Sequence, residues 1–242
     1  MPESNQLSVQ IKVRGRRCVV VGGGPVALRR TRSLLQAGAK VVVVAPELQP
    51  EFWDVAQAGQ LQTGQLQILQ REFEPSDLAT DQAAGSEFSG APLLVIVATN
   101  NPEVNRQVGV ICEAAGVLVN RADRAQDGDL SFPATVSWGK VSIAVSNSDG
   151  SPVLSQWAAE RIDASLDSVL GLTAEQGEQL AQVIVEVRQD LQRAQMESSK
   201  TRKDVTYGVP DWRSALDESI LVLVRMGRYT EAKERLLACL SS

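Results

Sequence analysis

The residues of this chain best equipped for chemistry fall into three groups, each at the end of an apolar run. Gly22-Gly23-Gly24 follows Cys18-Val19-Val20-Val21, Thr99-Asn100 follows Leu93 to Ala98, and Asn120-Arg121-Ala122-Asp123 follows Val117-Leu118-Val119. Histidine is absent from all 242 residues. Without the commonest metal ligand and the usual acid–base group near neutral pH, catalysis must use carboxylates, hydroxyls, lysine or a bound cofactor, so zinc-site and Ser-His-Asp schemes are excluded. Gly22, Gly24 and Ala27 fit the pattern G-x-G-x-x-G/A of dinucleotide-binding folds. In that pattern Gly22 permits a sharp turn, Gly24 lets backbone approach a pyrophosphate, and Ala27 lets a helix pack closely on its strand. The helix N-terminus then offers unpaired N–H groups to the anion.

The elements that must position these groups read as alternating strands and helices. A helix from about Val26 to Ala37 stops at Gly38, and the continuous apolar run Val41 to Val44 has the character of a parallel strand buried on both faces. Together with the first strand they make a βαβ unit. The second strand ends in Ala45-Pro46-Glu47, where an acidic side chain would accept hydrogen bonds from an adenosine ribose; the same Glu47 could equally serve only to begin a helix from Pro50 to Ala58. Leu66 to Leu69 reads as a third strand, Glu72 to Asp77 as a loop entering a helix, and Asp81 to Pro92 as a flexible surface insertion. Leu93 to Ala98, a helix from Pro102 to Ala115 stopped by Gly116, and Val117 to Val119 complete the pattern. The alternation Val9, Ile11, Val13 predicts an edge strand over Leu7 to Val13. Beyond Asp123 the pattern changes. Ala134 to Ser137 and Val141 to Ser146 predict a hairpin, and Ser151 is placed to cap a helix opened by Pro152. Helices follow over Val153 to Leu170 and Thr173 to about Glu197, then a polar hinge from Ser198 to Asp204. A last pair, Trp212 to Val224 and Tyr229 to Leu240, suggests a packing appendage rather than a partner-binding module, because a helical repeat needs about three copies to bury a core.

Composition sets outer limits. A content of 43% hydrophobic and 22% charged residues suits one or two globular domains, and a net charge of -5 with a pI near 5.0 argues against nonspecific nucleic-acid binding. No apolar run approaches the ~20 residues of a membrane span, and Met1 to Val9 lacks a signal-peptide apolar core. Cys18, Cys112 and Cys239 are odd in number and without metal-ligand spacing, as expected of reduced thiols. A cytoplasmic protein is expected.

Four elements in order resemble the precorrin-2 dehydrogenases of sirohaem synthesis, a family that includes members also acting as sirohydrochlorin ferrochelatases. They are Val21-Gly22-Gly23-Gly24-Pro25-Val26-Ala27; Ala98-Thr99 with Asn105; Asn120-Arg121-Ala122-Asp123; and Ala144-Val145-Ser146 with Gly150-Ser151-Pro152-Val153-Leu154. The likeness covers Leu7 to Ile162 well, the following helices loosely, and the last thirty residues not visibly. It implies an α/β fold, a Rossmann-type parallel sheet followed by a small β dimerisation region and a helical C-terminal region. The corresponding boundaries are 1–121 for the NAD-binding domain, 122–152 for the hairpin region, and 153–242 for the helices, with 211–242 as an appended pair. It also implies NAD as cofactor, precorrin-2 as the tetrapyrrole substrate, and a homodimer with no nucleic-acid or membrane partner.

By the same resemblance Asp123 is the catalytic carboxylate, although an ion pair with Arg121 or Arg124 would be the structural alternative. Cofactor contacts are expected from Gly22, Gly23, Gly24, Pro25, Val26, Pro46, Glu47, Thr99 and Asn100; the family often has an acidic residue where this chain has Asn100. Substrate contacts are expected from Asn120, Arg121, Arg124, Ser151 and Arg161, the arginines because guanidinium forks match carboxylates. Asn120 would also orient the Asp123 loop, and Ser151 would be equally at home as a helix cap. Iron insertion into sirohydrochlorin at the same cleft is an alternative second activity, and an NAD-responsive regulator is the non-enzymatic one.

Overall fold

A computed structural model describes residues 6–57, 65–79, 88–147, 151–200 and 211–241. The chain divides into two compact units, Met1–Phe132 and Pro133–Ser242.

The first unit contains β1 (Arg17–Val21), α1 (Pro25–Gln36), β2 (Lys40–Val44), α2 (Glu51–Gln57), β3 (Leu66–Leu69), β4 (Leu94–Val97), α3 (Pro102–Ala115) and β5 (Leu118–Arg121). All five strands are parallel, in the order β3-β2-β1-β4-β5. The valine runs explain why a parallel sheet forms. Cys18, Val20, Val41, Val43 and Ile96 pack with Ala27, Leu28, Leu34 and Leu35 of α1, whereas Val19, Val21, Val42, Val44, Val95 and Val97 pack with Val108 and Cys112 of α3. Both faces are covered, so successive residues are all apolar. Strand order reverses between β1 and β4, and ligands of such sheets bind outside the carboxyl ends of the strands at that switch point.

Two local expectations fail in this unit. Leu7 to Val13 forms no strand: Leu7, Val9 and Ile11 are exposed and only Val13 is buried. Alternation supplies a face but not a pairing partner, and the sheet edges are β3 and β5. After Glu72 the chain makes one 3-10 turn, Pro75–Leu78, instead of a full helix. There the buried Asp77 accepts both nitrogens of Arg71, while Arg17 donates to the carbonyls of Asp77, Ala79 and Gly90. Much of the insertion expected from Asp81 to Pro92 lies outside the described residues; at its end Phe88 is buried.

The second unit contains β6 (Ala134–Trp138), β7 (Val141–Val145), α4 (Pro152–Asp163), α5 (Leu166–Leu170), α6 (Ala174–Lys200), α7 (Trp212–Ala215), α8 (Glu218–Arg225) and α9 (Tyr229–Ser241). The expected hairpin is present, antiparallel and turning through Gly139 at φ 54°. The helix expected over Val153 to Leu170 is broken at Ala164-Ser165, and Gly171 in the left-handed region ends its second part. The hinge expected from Ser198 begins later, because α6 continues to Lys200; the remainder of the hinge lies outside the described residues. Val136 and Trp138 of the hairpin share one core with Ala159, Val187, Ile220, Val224, Ala232 and Leu236. Trp138 sits against Gly177 and donates its indole N–H to Asp167 at 2.7 Å. Lys233 of α9 pairs with Glu186 and Asp190 of α6. Hairpin, long helix and final helices thus close around the same apolar centre. Residues 122–132 belong to the first unit.

Candidate active site

The glycine turn is shaped by its neighbours as much as by its own freedom. Gly22 has φ 131°, and a Cβ there would collide with the carbonyl of Ala98 at the end of β4. A Cβ on Gly23 would collide with the carbonyl of Glu47 in the turn after β2, where Gln49 N–H also donates to the Gly23 carbonyl at 3.0 Å. Gly24 is different. Its backbone is extended, φ -85° and ψ -175°, a conformation open to any residue, and a Cβ would meet nothing within 4 Å. Its lack of a side chain serves no packing need of the protein, so it leaves a cradle beside the helix terminus. Pro25 occupies the first turn of α1, and the amides of Val26 and Ala27 precede the first intrahelical bond, Leu28 N–H to the Gly24 carbonyl. No acidic side chain stands in that turn. Unpaired N–H groups beside open space, with no competing carboxylate, suit the pyrophosphate of a dinucleotide. Pro46 and Glu47 are exposed in the neighbouring turn, and α2 starts only at Glu51.

A side-chain network occupies the adjoining ends of β4 and β5. Thr99 donates its hydroxyl to Asn105 Oδ1 at 2.6 Å, and Asn105 Nδ2 donates back to the Thr99 carbonyl at 3.1 Å. Asn105 is buried in the first turn of α3, a helix whose N-cap, Asn101, accepts from the amides of Glu103 and Val104. Arg121, the last residue of β5, grips Asp123 with both prongs: Nε to Oδ1 at 3.0 Å and an Nη to Oδ2 at 2.8 Å. The ion pair set aside as the structural alternative therefore exists, formed with Arg121. The pair is lopsided, with the arginine side chain 8% exposed and the aspartate 26% exposed, so the carboxylate still reaches the surface. The bond from Arg121, and secondarily one from the Asn105 side chain, holds the Asp123 carboxyl below the usual aspartate range. It is ionised, and able to receive a proton.

The loop beyond is fastened to β5. Asn120 Nδ2 donates to the Leu130 carbonyl at 2.8 Å, and Asp129 Oδ2 accepts from the Val119 amide at 2.9 Å. Asn120 is buried, and its bond ties the returning loop to β5. Arg121, also expected to contact substrate, has its guanidinium buried against Asp123. Arg124 is exposed and lies 3.9 Å from Asp127. Asn100 is exposed at the β4 turn. In the second unit, Ser151 caps α4 by accepting from the Leu154 amide, and Asn147 brackets it through its amide and carbonyl. Arg161 is exposed on α4, its guanidinium 5.8 Å from the Trp157 ring centre. Asn105 is the residue whose part sequence reasoning did not assign; its fixed place beside Ala98-Thr99 in the motif was the available signal.

Comparison with known proteins agrees with this geometry. The family model NAD_binding_7, described as "Putative NAD(P)-binding", matches residues 9–134, more than half of the chain. A siroheme synthase of Chromobacterium violaceum is 36% identical over 167 residues, 69% of this chain and 32% of that protein. One of Photorhabdus laumondii is 30% identical over 230 residues, 95% of this chain and 43% of that protein. The chain thus spans less than half the length of these curated relatives. Among solved structures, SirC, a precorrin-2 dehydrogenase, superposes with a TM-score of 0.62 at 27% identity, covering 95% of this chain and all of that one. The chain belongs to the NAD_binding_7 family, described as putative NAD(P)-binding.

Proposed function

We propose that this chain oxidises precorrin-2 to sirohydrochlorin with NAD, using Asp123 as the carboxylate that takes the proton. The observation that carries the proposal is the juxtaposition, at one edge of one sheet, of an open glycine cradle at Gly24 and an ionised, surface-reaching Asp123. NAD supplies the hydride acceptor. Gly22 to Val26 would hold its pyrophosphate, with Thr99 and Asn100 at the next strand end. Glu47 and Pro46, in the turn touching Gly23, would face the adenosine ribose, where a carboxylate favours NAD over NADP. The substrate loses one hydride and one proton. Asp123 receives the proton, and an aspartate kept ionised by Arg121 is ready for that task without prior deprotonation. Arg124 and Arg161, both exposed, are the proposed contacts for substrate carboxylates.

We further propose a cytoplasmic homodimer, in line with the family resemblance. Among the described residues no helix is long and apolar enough to cross a membrane. Sedimentation at micromolar concentration should give twice the chain mass; a monomer there would remove the dimer.

Purified protein mixed with precorrin-2 and NAD should produce NADH together with the sirohydrochlorin spectrum. Adding ferrous iron then asks whether the same chain inserts metal. NAD binding without NADH formation would contradict the dehydrogenase and leave the regulator as the better description.

A further inference from the structure

We infer that Arg121 is a positioning residue for the reaction: from a built pocket beneath α3 it grips both oxygens of Asp123 and fixes where that carboxylate points. The inference rests on Asp123 being the reacting group proposed above. Three features mark the pocket as built for the guanidinium. Arg121 is buried on a strand whose partner residue across β4 is the fully buried Val97, an apolar environment in which an unpaired cation is costly. Gly109 of α3 packs over it, an added Cβ there standing in ordinary contact 3.5 Å from the arginine Nη1. Gly128 brings the returning loop against the backbone of Arg121 so closely that a Cβ would stand 2.9 Å from its amide nitrogen. Helix, strand and loop all pack around this one residue.

The charged groups around the pair come from all of these elements. Arg121 stands on β5. The loop brings Asp123, Asp127 with Oδ2 3.9 Å from Arg121, and Arg124 beside Asp127; Asp129 turns to the Val119 amide. Helix α3 contributes the neutral Asn105, which is tied to Thr99. Arg121 is therefore the one cation with bidentate hold on Asp123 among the described residues, and two prongs fix direction as well as distance. A lysine could replace the charge but not the fork.

The test uses full-length Arg121→Met and Arg121→Lys, with NAD affinity as the control for an intact glycine turn. Asp123 is titrated directly by carbon-13 carboxylate NMR, its resonance assigned with Asp123→Asn, and kcat is followed against pH. In Arg121→Met, Asp123 should titrate at higher pH than in wild type and the acid limb of kcat should move with it. Its plateau kcat should fall by about 10- to 100-fold, the scale of a misdirected catalytic group. Arg121→Lys should keep the acid limb near its wild-type position while losing most of the plateau, separating direction from charge. An unmoved Asp123 titration in Arg121→Met, or wild-type kcat in both variants, would overturn the inference. Should wild-type protein bind NAD yet turn over no precorrin-2, the proposed function fails, and the NMR titration still decides whether Arg121 controls Asp123.

Discussion

The two halves of the proposed site at the sheet's carboxyl edge are made in opposite ways. The glycine turn works by what is missing: Gly22 and Gly23 omit side chains that would strike Ala98 and Glu47, and Gly24 omits one that would fill space outside the protein's own packing. The Asp123 loop works by what is present, a chain of contacts from Thr99 through Asn105 and from Arg121 to the carboxylate. The first half is backbone beside open space. The second half is side-chain chemistry, assembled from two strand ends and a helix. The contrast teaches that the cofactor half should tolerate changes of sequence only where space remains, whereas the reacting half should respond to loss of any member of its network.

Substitutions at neighbouring glycines should separate packing from binding. Gly23→Ala forces a Cβ into the Glu47 carbonyl, so it should cost about 1–3 kcal/mol, read as a fall in Tm of about 2–4 °C per kcal/mol for a chain of this size. NAD binding should weaken with it. Gly24→Val should leave Tm unchanged and weaken NAD at least about tenfold, near 1.4 kcal/mol, measured by fluorescence titration. Equal losses of stability in the two variants would erase the distinction between them. In the second unit, Ser151→Ala should cost about 1 kcal/mol as a lost helix cap and leave the KM for the tetrapyrrole unchanged. A raised KM with unchanged Tm would move Ser151 from cap to substrate contact.

The smallest expected effect concerns pH. Because Asp123 has a lower pKa folded than unfolded, its pairing with Arg121 contributes fully to stability above the unfolded aspartate's pKa. That contribution is lost as pH falls through the lowered value. Denaturant unfolding of wild type and Asp123→Asn should therefore differ most near neutrality and converge in acid; a constant difference would argue that the pair contributes no proton linkage.

The same contrast explains what could be read from the sequence. A parallel sheet covered on both faces requires unbroken apolar runs, so β1, β2 and β4 announce themselves, as does the glycine turn between β1 and α1. The stops at Gly38 and Gly116 were equally legible, since both adopt left-handed φ. Leu7 to Val13 misled because alternation describes a face and says nothing about a pairing partner. Ala164-Ser165 misled because no proline or glycine marks the break between α4 and α5. The shared core of hairpin and terminal helices was invisible for another reason: Trp138 meets Gly177, and Val136 joins a cluster that reaches Leu236, contacts between segments far apart in the chain. At the site, the family resemblance pointed to Asp123 with an ion pair to Arg121 or Arg124 as the alternative, but neither could show that Arg121 holds both carboxylate oxygens. β5 ends at Arg121, so strand periodicity alone does not fix where Asp123 stands.

Asp123 should be tested with the two readings of the site measured side by side. NAD affinity and precorrin-2 turnover are determined on the same preparations of wild type and Asp123→Ala. NAD affinity should be unchanged while kcat falls by about 10²- to 10⁴-fold, the usual contribution of a positioned proton acceptor. Wild-type turnover in Asp123→Ala, with NAD still bound, would contradict the assignment of the reaction to this carboxylate.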